Sequence, residues 1–272
     1  LNIHSSYFEN NEVSTTAGVI MNKGNLSAFD CLFVNNTAHE FGGAIYNENN
    51  LTLKNSSFLN NSAVNGGAIC NNGTMVIIDS YFMNNQGTQA GAIYNSIKCF
   101  LNIADCLAVN NTAVSGGFVD NEGILEIIHS TFINNSASFG GVSININQSS
   151  ISNCAFINNS ASKSGEVIYN SAGVSIIENN WWGTNSPNWT ILVGNMDKPE
   201  KYAILNLTVN NRDFYSYDVL VNMYWNGTSE KANIPLRTII LKCGSNVFNG
   251  EIVNGSFSKT YDFNSSGNYA IS

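Results

Sequence analysis

The stretch LTLKNSSFLNNSAVNGGAICNNG, residues 51–73, decides the fold because it recurs along the chain. The same order of residue types appears in LSAFDCLFVNNTAHEFGGAIYNEN from Leu26 and in LEIIHSTFINNSASFGGVSININ from Leu125. The shared template is L-x-I-x-x-S-x-F-x-N-N-x-A, then three or four residues, then G-G-A-I-Y-N. A fixed period of this length is typical of a solenoid. Repeats of 24 to 26 residues begin at Leu1, Leu26, Leu51, Met75, Leu101, Leu125, Ser149 and Val174.

The spacing of apolar residues within each repeat indicates its secondary structure. Apolar and polar side chains alternate, which is the periodicity of a β-strand rather than of a helix. The apolar runs are short and are interrupted by Asn-Asn and Gly-Gly pairs. Three short strands and three bends make one coil of a parallel β-helix, and parallel crossovers are almost always right-handed. We therefore predict an all-β chain that begins with about eight coils of a right-handed parallel β-helix.

Equivalent positions of successive coils stack in such a fold, so each template position predicts a column. The Phe position predicts an internal aromatic column. The Asn-Asn pair predicts an amide ladder, in which one Asn points inward and its neighbour adopts the left-handed turn conformation. Cys31, Cys106 and Cys154 share the sixth position in non-adjacent coils, too far apart for disulfides, and are expected to be buried thiols. The predicted structural residues are Phe33, Phe58, Phe82, Phe132, Phe156, Asn35, Asn60, Asn110 and Asn134.

Composition argues against several classes of function. The chain has a net charge of −8, only 11% charged residues and no basic run. Because binding to a phosphate backbone needs clustered Lys and Arg, we expect no nucleic-acid partner. No run of 18 apolar residues occurs, so we expect no membrane span in this stretch of chain. We also expect no cofactor and no metal centre, because the chain has no CxxC pair and its histidines fall in separate coils. Calcium at the acidic corners is the alternative that the sequence leaves open.

One column carries side chains that a catalytic β-helix would need. In the catalytic alternative Asp79, Asp105 and His129, from three consecutive coils, face one groove. In the structural alternative each is a corner residue that bonds its own turn, which explains why Asn alternates with Asp. The fifth template position stacks Asp30, Asn55, Asp79, Asp105, His129, Asn153 and Glu178.

The enzyme alternative lacks a cation. A polysaccharide lyase needs a positive group to neutralise the uronate beside its general base. Residues 1–200 contain no Arg. We therefore predict no catalytic residue, and a β-helix lyase or epimerase stays the second alternative.

The repeat is lost after Pro199. Short apolar runs at 203–209, 218–225, 236–243 and 255–261, separated by turn residues, predict strands of a small β-sandwich. We predict a β-helix domain over 1–190, a linker or cap over 191–202, and a sandwich over 203–272. Residues 267–271 are expected to be its next-to-last strand, with the final strand missing. An open edge of this kind predicts self-association.

Two motifs resemble families of surface proteins. The G-G-A-I and F-x-N-N repeats are similar to those of the polymorphic surface proteins of chlamydiae. The stretch NWWGTNSP, residues 180–187, resembles the N-W-W-G-x-N-x-P that ends the β-helices of adhesin-like proteins of gut methanogenic archaea. Trp181 is expected at the Phe position of the last coil, where it caps the column, with Trp182 beside it.

The resemblance covers residues 1–190 and carries functional implications. It implies an archaeal, secreted protein at the cell surface or cell wall, with an immunoglobulin-like domain after the β-helix. It also implies non-catalytic attachment to other cells, through their glycans or surface proteins. The first alternative is a structural spacer that projects another part from the cell wall.

Overall fold

The computed structural model describes residues 1–212, 216–243 and 246–262, and its first part is a stack of parallel coils. Neighbouring coils pair strand by strand in register. For example, Phe58 pairs with Phe33 of the preceding coil and with Phe82 of the following coil. The expected all-β class with about eight parallel coils is confirmed. Within the described ranges the only α-helix is one turn, Trp189–Leu192.

In the described residues of the β-helix, three parallel sheets form the faces of the stack. Sheet 1 consists of Asn2–His4, Asn25–Phe29, Asn50–Lys54, Thr74–Ile78, Phe100–Ala104, Ile124–Ile128, Gln148–Ser152 and Val174–Ile176. Sheet 2 consists of Tyr7–Glu9, Leu32–Val34, Ser57–Leu59, Tyr81–Met83, Leu107–Val109, Thr131–Ile133 and Ala155–Ile157. Sheet 3 consists of Ile20–Asn22, Ile45–Asn47, Ile69–Asn71, Ile93–Asn95, Val119–Asn121, Ser143–Asn145, Ile168–Asn170 and Val193–Gly194.

Between sheets 2 and 3 the coils are joined more loosely. Short pairs form at both ends of the stack, Glu12–Val13 with Thr37–Ala38 and Ser136–Phe139 with Ser160–Ser164. Between these two short pairs, neighbouring coils are connected on this side of the stack by isolated parallel bridges, such as those linking Ser62 to Gln86 and Gln86 to Thr112. Each coil therefore has a fourth, partly formed side, which the three-strand template did not predict.

The last coil begins one residue later than the repeat predicted. Ser149 pairs with Ser175, not with Val174, and their hydroxyl oxygens are 2.8 Å apart in a hydrogen bond. The template position is apolar in the first six coils, so the repeat pattern favours Val174. The structure instead stacks two serines there and leaves Val174 exposed. This one-residue shift moves every position assigned in the last coil.

The interior is a column of stacked aromatic rings. Ring centroids lie 4.7 Å apart for Phe33 and Phe58, and 4.9 Å apart for Phe58 and Phe82. The next coil has Ala108 in this column. Its gap is filled by Phe118, whose ring lies 5.5 Å from that of Phe82 and 5.2 Å from that of Phe132. Phe33, Phe58, Phe82, Phe118, Phe132 and Phe156 are all fully buried.

Two buried asparagine ladders run through the stack, and neither uses the asparagines named from the sequence. Of those, Asn35 and Asn60 are joined on the exposed side, where Asn60 Nδ2 donates to Asn35 Oδ1 at 3.1 Å. In each Asn-Asn pair the first member, at Asn35, Asn60, Asn110 and Asn134, has a φ of 53° to 56° and is exposed. The second member points inward instead. Asn85, for example, accepts from the amide Nδ2 of Asn61 at 3.0 Å and donates to Asn111 Oδ1 at 2.9 Å. The inward ladder is Asn36, Asn61, Asn85, Asn111, Asn135 and Asn159.

The order within the pair has a backbone reason. The left-handed residue turns the chain at the end of sheet 2, and Asn is one of the few residues that adopts this conformation at low cost. Its side chain then points to solvent, so the following Asn is the one directed into the stack. The second ladder, Asn22, Asn47, Asn71, Asn95, Asn121, Asn145 and Asn170, lies at the end of sheet 3 and was not predicted.

The Gly-Gly pair makes a corner that excludes any side chain. Gly66 has a φ of +69°, and a Cβ on Gly67 would collide with the carbonyl oxygen of Gly91 in the next coil. One glycine supplies the left-handed turn and the other the close approach of backbones.

Trp182, not Trp181, ends the aromatic column. Its ring lies 4.9 Å from that of Phe156 and 5.4 Å from that of Trp189 on the helical turn. Trp181 pairs instead with Ala155 and points away from the interior. The one-residue shift of the last coil explains this correction, because neighbouring strand residues face opposite sides. The strand Val193–Gly194, which follows the helical turn, still pairs within sheet 3.

The C-terminal part is a small set of antiparallel strands. Ala203–Asn211, Ser216–Trp225 and Ser256–Asp262 form one sheet, and Leu236–Cys243 pairs with Asn246–Ile252. Four of these strands were predicted, and Asn246–Ile252 was missed. The proposed next-to-last strand at 267–271 lies outside the described residues. Residues of this part, including Val219 and Met223, form a second core with Ala155 and Trp181 of the β-helix.

Candidate functional site

The corner between sheets 1 and 2 carries the column of polar residues that was considered for catalysis. All its members have a positive φ, which ranges from 47° at Asn55 to 62° at Asn179. Asn and Asp favour this backbone conformation, which accounts for most of the column without a functional role. In the last coil the member is Asn179, not Glu178, because of the one-residue shift.

At Asn55 the side chain is not bonded to its own turn. The side-chain hydrogen bond at Asn55 runs between coils instead, from its Nδ2 to Asp30 Oδ1 at 2.6 Å. The left-handed backbone is therefore the better physical reason for the Asn and Asp preference at this position. His129 also has a φ of 47°, although His is less suited to this conformation.

The three candidates Asp79, Asp105 and His129 do lie in consecutive coils, but they line two different clefts. Asp79 lies in a cleft of about 730 Å³ that opens toward the first coil. Asp105 and His129 lie in a cleft of about 280 Å³ whose other wall comes from the C-terminal strands. That wall consists of Asn233, Ile234, Pro235, Ile252, Val253 and Asn254.

The contact that divides the column is made far along the sequence. Thr131 Oγ1 donates a hydrogen bond of 2.6 Å to the carbonyl oxygen of Pro235. The outward-facing Thr131 and Ala155 are fully buried, because the C-terminal strands cover sheet 2 at this end of the stack. The column therefore does not form one continuous catalytic groove.

The larger cleft joins two rows of side chains. The first row lies on the outer surface at the end of sheet 1, where His4, Phe29 and Lys54 are in register. The rings of His4 and Phe29 stack with centroids 5.0 Å apart and an interplanar angle of 16°. The second row is the corner column, which contributes Asp30, Asn55 and Asp79.

The charged groups of this cleft are not engaged with each other. Four ion pairs occur within the described residues, and none includes Asp30, Lys54 or Asp79. The cleft therefore combines an aromatic surface, an amine, an amide and two carboxylates that can still bind a ligand. Over the described part of the chain, no group of three or more His, Cys, Asp or Glu is arranged to hold a metal ion.

A second set of titratable groups lies on the face of sheet 3 that points away from the interior of the β-helix. Tyr46, Cys70, Tyr94 and Asp120 occupy one column in successive coils. Asp120 is only 1% exposed, and its Oδ1 has no hydrogen-bond partner. Burial, reinforced by the nearby carboxylate of Glu122, raises the pKa of Asp120 to about 7. Burial also raises the pKa of the Cys70 thiol well above its usual range.

The cysteines act as packing residues. The five whose side chains the structure describes, including Cys31, Cys106 and Cys154 at the sixth template position, are buried and form no disulfide. Cys31 takes its place in a column with serines, since its backbone N–H donates to Ser56 Oγ at 3.2 Å. Burial raises the pKa of the Cys154 thiol to about 12, which keeps it protonated and unreactive near neutral pH.

In the ranges that the structure covers, no helix is both long and apolar enough to cross a bilayer.

Two parts of the chain match a known family model. Residues 30–48 and 55–72 match the model of the Chlamydia polymorphic membrane protein repeat. Both matches run from the left-handed corner after sheet 1 to the end of sheet 3. The matched positions thus include the Phe column, the inward asparagine and the glycine corner in coils two and three. No curated protein and no solved structure matches the chain.

Proposed function

We propose that this chain is a non-catalytic, adhesin-like protein of the cell surface, which attaches to other cells or to glycans through its β-helix. The supporting observation is the contrast between its inward and outward positions. In sheet 1 the inward residues Leu53, Ile77 and Ile103 are similar and fully buried. The outward positions beside them differ in chemistry from coil to coil, as in Thr52, Val76, Asn102 and Glu126. Such a stack is a rigid scaffold whose surface can change without loss of the fold.

The family match supports the location. The repeat matched by residues 30–48 and 55–72 is named for membrane proteins of Chlamydia. An extracellular address at the cell surface or cell wall is the corresponding proposal for this chain. The archaeal affiliation rests on the resemblance of residues 180–187. The immunoglobulin-like identity of the C-terminal strands rests on that resemblance and on strand spacing.

A binding assay distinguishes the adhesin function from that of a structural spacer. The experiment adds fluorescently labelled protein to a glycan array and to panels of microbial and epithelial cells. An adhesin gives saturable binding that excess unlabelled protein displaces. Absence of saturable binding to every glycan and cell would instead favour a structural spacer.

Analysis of polysaccharide cleavage products distinguishes the adhesin function from enzymatic activity. We expect no new reducing ends and no unsaturated products from pectin or alginate. Products that appear with the wild type and disappear in an Asp79→Asn/Asp105→Asn double variant would replace the adhesin by a lyase or hydrolase.

A further inference from the structure

We infer that the cleft lined by His4, Phe29, Asp30, Lys54, Asn55 and Asp79 binds a short segment of an uncharged glycan that runs along the axis of the β-helix. This inference rests on the proposed adhesin function and names its binding site and ligand class. The cleft is formed by the first four coils, at the end of the stack away from the C-terminal strands.

The side chains of the cleft match the two surfaces of a sugar ring. The rings of His4 and Phe29 stack face to face, so each ring has one remaining face, on which the C–H groups of a sugar can pack. The carboxylates of Asp30 and Asp79 accept hydrogen bonds, whereas the Lys54 amine only donates. Hydroxyl groups both donate and accept, so a ligand rich in hydroxyls satisfies all these groups at once.

Available hydrogen-bonding capacity points to a ligand rather than to internal structure. Asn55 uses one amide N–H on Asp30. Among the described residues, no hydrogen bond or ion pair joins the side chain of Asp79 or Lys54 to a neighbour. The polar atoms of these two side chains therefore do not hold the corner together through hydrogen bonds or ion pairs, and both side chains are exposed.

The spacing of the rows favours an extended chain. Phe29 and Lys54 are paired neighbours in sheet 1, and the corner residues Asp30 and Asn55 follow them in the same two coils. Adjacent strands lie about 4.8 Å apart, so each row presents one group per coil at that interval. An extended polysaccharide presents its hydroxyls at regular intervals of similar size, and can therefore contact several coils in turn.

The same spacing argues against a cation. Asp30 and Asp79 belong to coils two apart, which places their backbones roughly 9.6 Å from each other. A calcium ion holds its oxygen ligands at about 2.3–2.6 Å, so these two carboxylates reach one ion only when both side chains converge across the coil between them. Asn55 belongs to that intervening coil and its amide N–H donates to Asp30, so this carboxylate has a neutral donor rather than a cation as its partner.

Charge determines which glycan fits. With two carboxylates and one amine, the cleft carries more negative than positive charge when its His is neutral, and the whole chain has a net charge of −8. Uronates and other acidic sugars are repelled by this arrangement. Uncharged hexose polymers are the expected ligands.

The test starts with an array of uncharged polysaccharides, namely glucans, mannans and galactans, with pectin and alginate as acidic controls. The tightest soluble oligosaccharide is then titrated calorimetrically into the full chain, with and without EDTA. We expect binding to at least one uncharged glycan and unchanged affinity in EDTA. Phe29→Ala and Asp79→Asn should each weaken binding at least tenfold.

Ile128→Ala is the matched control for Phe29→Ala. Ile128 occupies the same outward position of sheet 1 four coils further along and is 38% exposed, but it does not line the cleft. The Ile128→Ala variant should bind the oligosaccharide with the same affinity as the wild type. Thermal melts of all variants exclude a loss of fold as the cause of weaker binding.

The remaining outcomes overturn the inference in distinguishable ways. Glycan binding that Phe29→Ala and Asp79→Asn leave unchanged places the site elsewhere, while the adhesin function stands. Preference for pectin or alginate refutes the charge argument, and loss of binding in EDTA refutes the exclusion of a cation. Saturable cell binding without any glycan binding refutes the ligand class alone. Absence of both refutes this inference together with the proposed function.

Discussion

Coils two to four differ from coil five in how they fill the same interior. In coils two to four the positions that face each other hold Phe and Ala, as in Phe82 and Ala92 of coil four. Coil five, which starts at Leu101, exchanges them and has Ala108 and Phe118. Ala108 pairs with Phe82 in the aromatic column, whereas Phe118 occupies the position of Ala92. The ring enters the same space from the opposite wall.

This difference shows that the coil conserves volume rather than residue identity. Interiors are close-packed, so a missing ring must be replaced by a neighbouring group. Phe118 meets Phe82 at 73°, whereas the regular pairs stack nearly parallel, as at 5° between Phe58 and Phe82. Coil five also has Asp120 where coil four has Tyr94. Its backbone hydrogen bonds and its inward asparagine nevertheless continue unchanged.

The largest effect is expected from removing a ring in a regular coil. Phe82→Ala should lower the free energy of unfolding by about 3–5 kcal/mol, because it leaves a cavity in a fully buried column. Asn72→Ala, at an exposed position of coil three, is the control and should stay within about 0.5 kcal/mol. Urea midpoints of both variants measure the difference.

Hydrogen exchange sharpens this first prediction. In a solenoid each coil is stabilised mainly by its neighbours, so Phe82→Ala should also increase exchange in coils three and five. The strand Ser216–Trp225 has its own core and should be affected less. Equal urea midpoints for Phe82→Ala and Asn72→Ala would refute the inward position of Phe82.

The swap of the Phe and Ala positions in coil five can be reversed by mutation. Phe118→Ala alone should cost about 3–5 kcal/mol, because both facing positions are then Ala. Ala108→Phe alone should cost about 1–3 kcal/mol through overpacking. The double variant recreates the arrangement of coil four and should recover at least half of the loss caused by Phe118→Ala. A double-mutant cycle from urea denaturation gives the coupling energy, and additive losses would show that the two positions do not share volume.

The pH dependence of stability is expected to reside in coil five. The pKa of Asp120 is raised from its ordinary 3.8 to about 7, so the folded state favours the neutral acid. The stabilisation by this proton is therefore complete below about pH 4 and is lost as the pH rises through about 7. A shift of this size corresponds to about 4 kcal/mol at most.

Asp120→Asn tests the assignment. The variant keeps the shape of the side chain but cannot ionise, so its stability should change much less between pH 4.5 and pH 8. Urea midpoints measured across this range compare it with the wild type. Parallel pH profiles of the two proteins would contradict a buried, proton-binding Asp120.

The sequence predicts repeating contacts well and single contacts poorly. The coils and the buried Phe positions follow from residues that recur every 24 to 26 positions. The swap of the Phe and Ala positions in coil five is also visible in the sequence. G-G-F-V replaces G-G-A-I in the same repeat in which Ala replaces Phe. The ladder at the end of sheet 3 was likewise visible as the recurring Asn of A-I-Y-N.

Two features show where the repeat stops being informative. The start of the last coil was misplaced because a Ser–Ser hydrogen bond replaces an apolar contact there. In the catalytic alternative Asp79, Asp105 and His129 shared one groove, and the sequence could not exclude this because the covering strands belong to no repeat. Their hydrogen bond from Thr131 to Pro235 joins residues 104 positions apart, and no local pattern indicates it.

The smallest expected effect tests what the two kinds of coil share. Asn85 in coil four and Asn111 in coil five each accept from the preceding coil and donate to the following one. Asn85 Nδ2 also donates to the carbonyl oxygen of Phe58 at 2.9 Å, and Asn111 Nδ2 to that of Phe82 at 3.1 Å. Because a buried group that loses its partner costs about 1–3 kcal/mol, Asn85→Ala and Asn111→Ala should each destabilise by that order.

The two ladder losses should be equal, since the ladder passes through both coils with the same geometry. Asn84→Gly and Asn110→Gly are the controls at the preceding positions, where φ is 56° in both cases and glycine fits without strain. Their urea midpoints should stay close to that of the wild type. A clearly larger loss for Asn111→Ala than for Asn85→Ala would mean that the exchange of Ala108 and Phe118 had also altered the hydrogen bonding of coil five. The coils would then differ in more than the direction from which their ring enters the interior.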